Sequence, residues 1–122
     1  MARILIIDDD PAIGEALKHL LSKEGYEVQS VTDSREGVEL IYGQAFDLVI
    51  VDIFMPEKSG LEIIREVNKA RPKVKLMAMT AFGAQDDIDM GSFAERYGAI
   101  HYFEKPFDNQ DVLAKVNEAL QN

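Results

Sequence analysis

The sequence predicts an α/β fold, an open doubly wound sheet of five parallel strands with helices on both faces. Three observations lead there. Short aliphatic runs alternate with longer amphipathic stretches, the pattern of βα units whose sheet is covered on both sides. The 122 residues suffice for one core and are too few for two of ordinary size, so residues 1–122 are read as a single domain. The aliphatic runs also end in acids, a hydroxyl and a lysine, as expected where functional groups gather beyond the carboxyl ends of parallel strands.

Strands are predicted at Arg3–Ile7, Glu27–Val31, Leu48–Val51, Val74–Met79 and Ile100–Phe103. Asp10, followed by Pro11, is placed to cap the first helix, where Ile13, Leu17 and Leu20 recur at helical spacing until Gly25. Val38 and Ile41 mark a second helix ending at Gly43. Leu61, Ile64 and Val67 mark a third, entered through Gly60, where a side chain would crowd the loop, and stopped before Pro72. Between Phe82 and Tyr97 the helical pattern is weakened by Gly83, Gly91, Asp86, Asp87 and Asp89, which predicts a loop and then a helix. Asp108 caps the last helix, with Val112, Val116, Ala119 and Leu120 on one face. Met77 and Met79 read as core filler, and His19 and His101 have no partner at ligand spacing.

Composition excludes several classes of function. A net charge of -9 argues against direct binding to nucleic acid or to an anionic membrane, both of which need clustered Lys and Arg. With no Cys there is neither a disulfide nor a thiolate metal site, which fits a cytoplasmic setting. No apolar run approaches the roughly 20 residues of a spanning helix, and "MARILIIDDD" lacks the pattern of a signal peptide.

The strand ends hold the chemistry. Asp8 and Asp9 follow the first strand, Asp52 the third, Thr80 the fourth and Lys105 the fifth. Two carboxylates about 4 Å apart repel by roughly 4 kcal/mol at an effective dielectric near 20. A hard divalent cation relieves that repulsion; Mg²⁺ takes carboxylate and other oxygen ligands, and Mn²⁺ accepts the same set. Lys105 adds a point charge suited to a phosphoryl oxygen or to a carboxylate awaiting modification, and Thr80 a hydrogen bond to the same group. A helix cap explains Asp10 well but does not explain why separate strands bring acids to one edge.

With these pieces in order, namely Asp8–Asp9 after "ILII", "VDIFMPEKSG", Thr80–Ala81 after an apolar strand and "YFEKPF", the chain resembles over its whole length the receiver domain of bacterial two-component response regulators, similar to the single-domain chemotaxis type. The resemblance implies a flavodoxin-like (βα)5 fold with strand order 2-1-3-4-5. It implies Asp52 as phosphoacceptor, with Asp8, Asp9, Asp52 and the backbone carbonyl of Phe54 around Mg²⁺. Thr80 and Lys105 would contact the phosphoryl group, Tyr102 would serve with Thr80 as the switch, and the Lys105–Pro106 peptide would be cis. The implied partners are a sensor histidine kinase or phosphotransfer protein upstream, docking near Ile13, Leu17 and the loop at Phe107, and a downstream protein or output domain. A phosphorylation-dependent homodimer is compatible with the pattern. No small-molecule turnover is expected. The last helix runs to the end of the sequence, which fits a stand-alone regulator or the receiver portion of a longer protein.

Two departures from the family pattern stand out. About three extra residues fall between Thr80 and Lys105, within "FGAQDDIDMGSF", which suggests a displaced or longer loop before the fourth helix and an altered partner surface. Phe54 and Phe82, each two residues past a key residue, offer no hydrogen bond to a hydrolytic water, which suggests slow self-dephosphorylation. Three other readings compete with this one. A haloacid-dehalogenase-type aspartyl phosphatase would need a hydroxyl where Ala12 stands, and a flavin binder would need a phosphate loop where Asp8 and Asp9 stand. A receiver-like binding module would keep the fold without being phosphorylated, and the complete site argues against it.

Overall fold

The computed structural model describes residues 1–55, 58–81 and 90–121. Strands and helices alternate strictly: β1 (Arg3–Ile7), α1 (Pro11–Ser22), β2 (Glu27–Val31), α2 (Ser34–Gly43), β3 (Leu48–Asp52), α3 (Gly60–Ala70), β4 (Lys75–Ala81), α4 (Met90–Tyr97), β5 (His101–Lys105) and α5 (Asn109–Gln121). The five strands form one parallel sheet in the order β2-β1-β3-β4-β5. Strand order therefore reverses between β1 and β3, which opens a crevice beyond their carboxyl ends.

Alternation along the strands divides the core into two layers. Ile4, Ile6, Leu48, Ile50, Met77, Met79 and Phe103 pack with Leu17 and Leu21 of α1 and Val112, Val116 and Ala119 of α5. Leu5, Ile7, Val49, Val51, Leu76 and Ala78 pack on the other face with Ile41 of α2, Ile63, Ile64 and Val67 of α3 and Ala94 of α4. All of these side chains are buried. At about 25 cal/mol per Å² of apolar surface removed from water, it is this two-sided burial that holds the sheet together.

Helix ends follow the sequence signals. Asp10 accepts from the Ala12 N–H at 3.0 Å with Pro11 at the first helical position. Asp33 caps α2 through the Arg35 N–H at 2.7 Å, Ser59 caps α3 through the Leu61 N–H at 3.1 Å, and Asp108 accepts from the Gln110 N–H at 2.8 Å. Gly25, beyond the end of α1, has φ of 92°, a conformation that favours glycine. Three strands run further than the aliphatic pattern alone predicts: β3 includes Asp52, β4 runs to Ala81 and β5 runs to Lys105. Backbone pairing continues past the aliphatic runs, so Asp52, Thr80 and Lys105 sit on the sheet itself. The extra residues expected before α4 fall largely at 82–89, outside the described residues.

Candidate functional site

Each acid is delivered by its strand. Asp8 follows β1 directly, and its own N–H donates to the Val31 carbonyl at 3.1 Å, so it continues the β1–β2 pairing. Asp52 is the last residue of β3 and pairs with Met79 of β4, an arrangement extended by the Ile53 N–H donating to the Met79 carbonyl at 3.1 Å. In the alternation, Asp8 follows Ile4 and Ile6, Asp52 follows Leu48 and Ile50, and Lys105 follows Phe103. All three therefore leave the sheet toward the layer of α1 and α5. Thr80 follows Ala78, and Tyr102 is paired in register with Ala78, so these two share the opposite face.

Asp8 is wholly buried, Asp52 is 4% exposed, and Asp9 stands exposed at the rim. One carboxylate oxygen from each of Asp8, Asp9 and Asp52 lies within 4.8 Å of the other two. The Lys105 ammonium sits between the two buried acids, 2.8 Å from Asp8 Oδ2 and 3.1 Å from Asp52 Oδ2. Asp52 Oδ1 accepts from the Phe54 N–H at 3.0 Å, and Asp8 Oδ1 from the Asp10 N–H at 2.9 Å. Asp8 Oδ2, buried, is met only by the Lys105 ammonium among the described residues.

Electrostatics reflect that crowding. Burial pushes the Asp52 carboxyl above its ordinary value against the opposing pull of the Phe54 N–H and Lys105, and the neighbouring Asp8 adds to the rise. Burial works against the Lys105 ammonium, but the two carboxylates outweigh it and hold the group above its ordinary value. Three acids facing one ammonium remain net negative, with an oxygen of each within 4.8 Å of the other two. That donor set, all hard oxygen, fits a divalent cation such as Mg²⁺.

Thr80 is 5% exposed near the end of β4, with Glu104 as its register partner on β5. Tyr102 is half-buried against the α2–α3–α4 side of the core, and its carbonyl accepts from Lys115 Nζ of α5 at 2.9 Å. Phe54 is 36% exposed beside the acids, and the Lys105–Pro106 peptide is cis. Phe82 lies outside the described residues.

Two features were not read from the sequence. Lys105 pairs with Asp8 as well as Asp52, a contact 97 residues apart in sequence that no local pattern signals. Lys58, in the loop after β3, reaches Glu66 on α3 at 2.5 Å, and Tyr42 on α2 donates to the same carboxylate at 2.8 Å. The only sequence signal for that cluster is the presence of opposite charges eight residues apart.

Residues 4–117 match the family model described as the response regulator receiver domain. Among solved structures, the chain is similar to a response regulator receiver domain protein from Clostridium thermocellum, at 35% identity over 99% of this chain and 95% of that one, with a TM-score of 0.89. It is equally similar to a CheY-like receiver domain protein from Methanospirillum hungatei JF-1, at 35% identity over 99% and 94%, with a TM-score of 0.89. The beryllofluoride-activated NtrC4 receiver domain dimer matches at 26% identity over 99% and 98%, also with a TM-score of 0.89.

Proposed function

This chain belongs to the response regulator receiver domains of two-component systems, and we propose that Asp52 is its phosphoacceptor, loaded from the phosphohistidine of a sensor kinase or phosphotransfer protein. The observation that carries this reading is the buried pair Asp8 and Asp52 sharing one ammonium at the point where strand order reverses. Asp8, Asp9, Asp52 and the Phe54 carbonyl would hold Mg²⁺, which when bound supplies charge neutralisation to the transferring phosphoryl group.

The chain's own residues do the rest. An oxygen of the ionised Asp52 carboxylate attacks phosphorus in line. The O–P bond forms as the N–P bond breaks, and the imidazole nitrogen leaves with the bonding pair. Lys105, already within hydrogen-bond reach of Asp52, faces the charge on the equatorial oxygens. Its ammonium form is favoured by the same two acids, so it stays charged at neutral pH. Thr80 is drawn inward to donate its hydroxyl to a phosphoryl oxygen, and Tyr102 on the same face takes up the space it vacates. The surface of α4, β5 and α5 changes shape in consequence, the elements biased between two states a few kcal/mol apart. Among the relatives, the NtrC4 receiver domain is a dimer when activated with beryllofluoride, which supports a phosphorylation-dependent homodimer here. Water finally hydrolyses the acyl phosphate to carboxylate and inorganic phosphate.

The test is incubation with Mg²⁺ and acetyl phosphate, with the adduct read by intact mass. One phosphoryl group per chain is expected on the wild type and none on Asp52→Ala, and an adduct that survives the loss of Asp52 overturns the assignment. Phe54 presents no group that could orient a hydrolytic water, so Phe54→Asn is expected to shorten the lifetime of the adduct several-fold; an unchanged lifetime would exclude that role.

A further inference from the structure

The turn between β3 and α3 has a tether that the proposed chemistry does not use. Phe54 N–H is tied to Asp52 Oδ1 at 3.0 Å at the start of the turn, and Ser59 Oγ to the Ile53 carbonyl at 3.4 Å at its end. Between them Lys58 lies back along α3, two residues before the helix begins, and donates to Glu66 Oε1 at 2.5 Å. Among the described residues this is the ion pair that joins the turn to another element. Glu66 is itself held from a third direction. Tyr42 on α2 donates to Oε2 at 2.8 Å, and the Arg71 guanidinium lies 4.9 Å from the Tyr42 ring centroid. The carboxylate is thus engaged at both oxygens, and Lys58 and Tyr42 together lower its pKa.

Resting on the function proposed above, we infer that Glu66 is a positioning residue for the metal site. By fixing Lys58 it steadies the neighbouring Ser59, whose hydroxyl donates to the Ile53 carbonyl and so anchors the backbone from which the Phe54 carbonyl is presented, with Tyr42 of α2 holding the second carboxylate oxygen. An exposed ion pair contributes little to global stability, because solvent screens it and two long side chains must be ordered. A pair that orders a short turn acts instead on the site, because a ligand from the backbone is only as fixed as its turn. The signature of this role is a change in metal affinity without a matching change in the thermal midpoint.

Mg²⁺ titration of the intact chain by calorimetry, together with thermal melts, tests it. Glu66→Gln is expected to weaken Mg²⁺ binding by about fivefold and Tyr42→Phe by about twofold, with little change in Tm in metal-free buffer. The Phe54 amide should also exchange faster in the E66Q variant. The charge-swapped pair Lys58→Glu with Glu66→Lys should return Mg²⁺ affinity to within about twofold of wild type, a rescue that a purely helical role for Glu66 would not give. An E66Q variant that binds Mg²⁺ like the wild type overturns the inference alone, as does a loss that tracks Tm and is not rescued by the swap. Failure of the wild type to bind Mg²⁺ at all overturns the proposed site as well.

Discussion

Asp52 carries the tension between stability and use in this molecule. Its carboxyl lies above its ordinary value because burial disfavours the charged form and Asp8 repels it. A group whose folded pKa is raised destabilises the fold when ionised. The penalty is therefore present at neutral pH and fades as pH falls through the raised value. Asp52→Asn removes the charge at nearly constant volume, so we expect the metal-free chain to gain about 1 kcal/mol, or roughly 4 °C in Tm, while losing the phosphoryl adduct. A lower Tm in metal-free buffer would show that the pairing with Lys105 outweighs burial. Lys105 is the counterpart. Its ammonium stands 2.8 Å and 3.1 Å from the acids that a divalent ion would join, so Lys105→Met makes the pocket more negative. Tighter Mg²⁺ binding and at least tenfold slower phosphorylation by acetyl phosphate are expected, the first by calorimetry and the second by mass against time. Asp8, Asp9, Asp52, Thr80 and Lys105 were legible as candidates because each ends or closely follows an aliphatic run. The Asp8–Lys105 contact was not, since it depends on how β1 and β5 are arranged across the sheet.

At the scale of elements, the passage from β3 to α3 is the tightest fit. A Cβ built on Gly60 would lie 2.2 Å from the Asp52 carbonyl oxygen and 2.5 Å from the Ile53 Cα, both backbone atoms that cannot swing aside. Gly60→Ala is therefore expected to destabilise the chain by at least about 2 kcal/mol in urea melts and to weaken phosphorylation, because the strain falls on Asp52 itself. Gly43, the last residue of α2, is the control. Nothing lies within 4 Å of a Cβ there, and Gly43→Ala should stabilise by about 0.5 kcal/mol. The steric need at Gly60 was readable from its place before a helical pattern, and the caps at Asp10 and Asp108 from residue type. The ends of β3, β4 and β5 were not, because an apolar pattern marks where side chains are buried and is silent on how far backbone pairing continues.

At the scale of the whole molecule, a ligand that binds only the folded state stabilises it by mass action. Mg²⁺ with beryllofluoride at a hundredfold excess over its Kd should add about 2.7 kcal/mol, a rise on the order of 10 °C in Tm, and Asp52→Ala should abolish it. An equal rise in both chains would mean the ligand acts elsewhere. Strand order follows from the alternation of elements and the right-handed crossovers of parallel sheets together with the family pattern, which is why the architecture was legible from one sequence. The cluster of Tyr42, Lys58, Glu66 and Arg71 was not, because it joins α2, α3 and a turn through long polar side chains that carry no periodicity.

The foot of α4 is gripped. Gly98, at φ of 129°, lies so close to Asn68 of α3 that a Cβ would come within 2.5 Å of its Cγ, and Ala94 is buried in the core one turn earlier. A rod of eight residues is about 12 Å long, and one clamped at its last turn behaves as a lever with its fulcrum there. A push at the start of α4 would swing the exposed ring of Phe93 through an arc while Tyr97 stays near the pivot, so a signal arriving there would reach the outside of the molecule as a tilt.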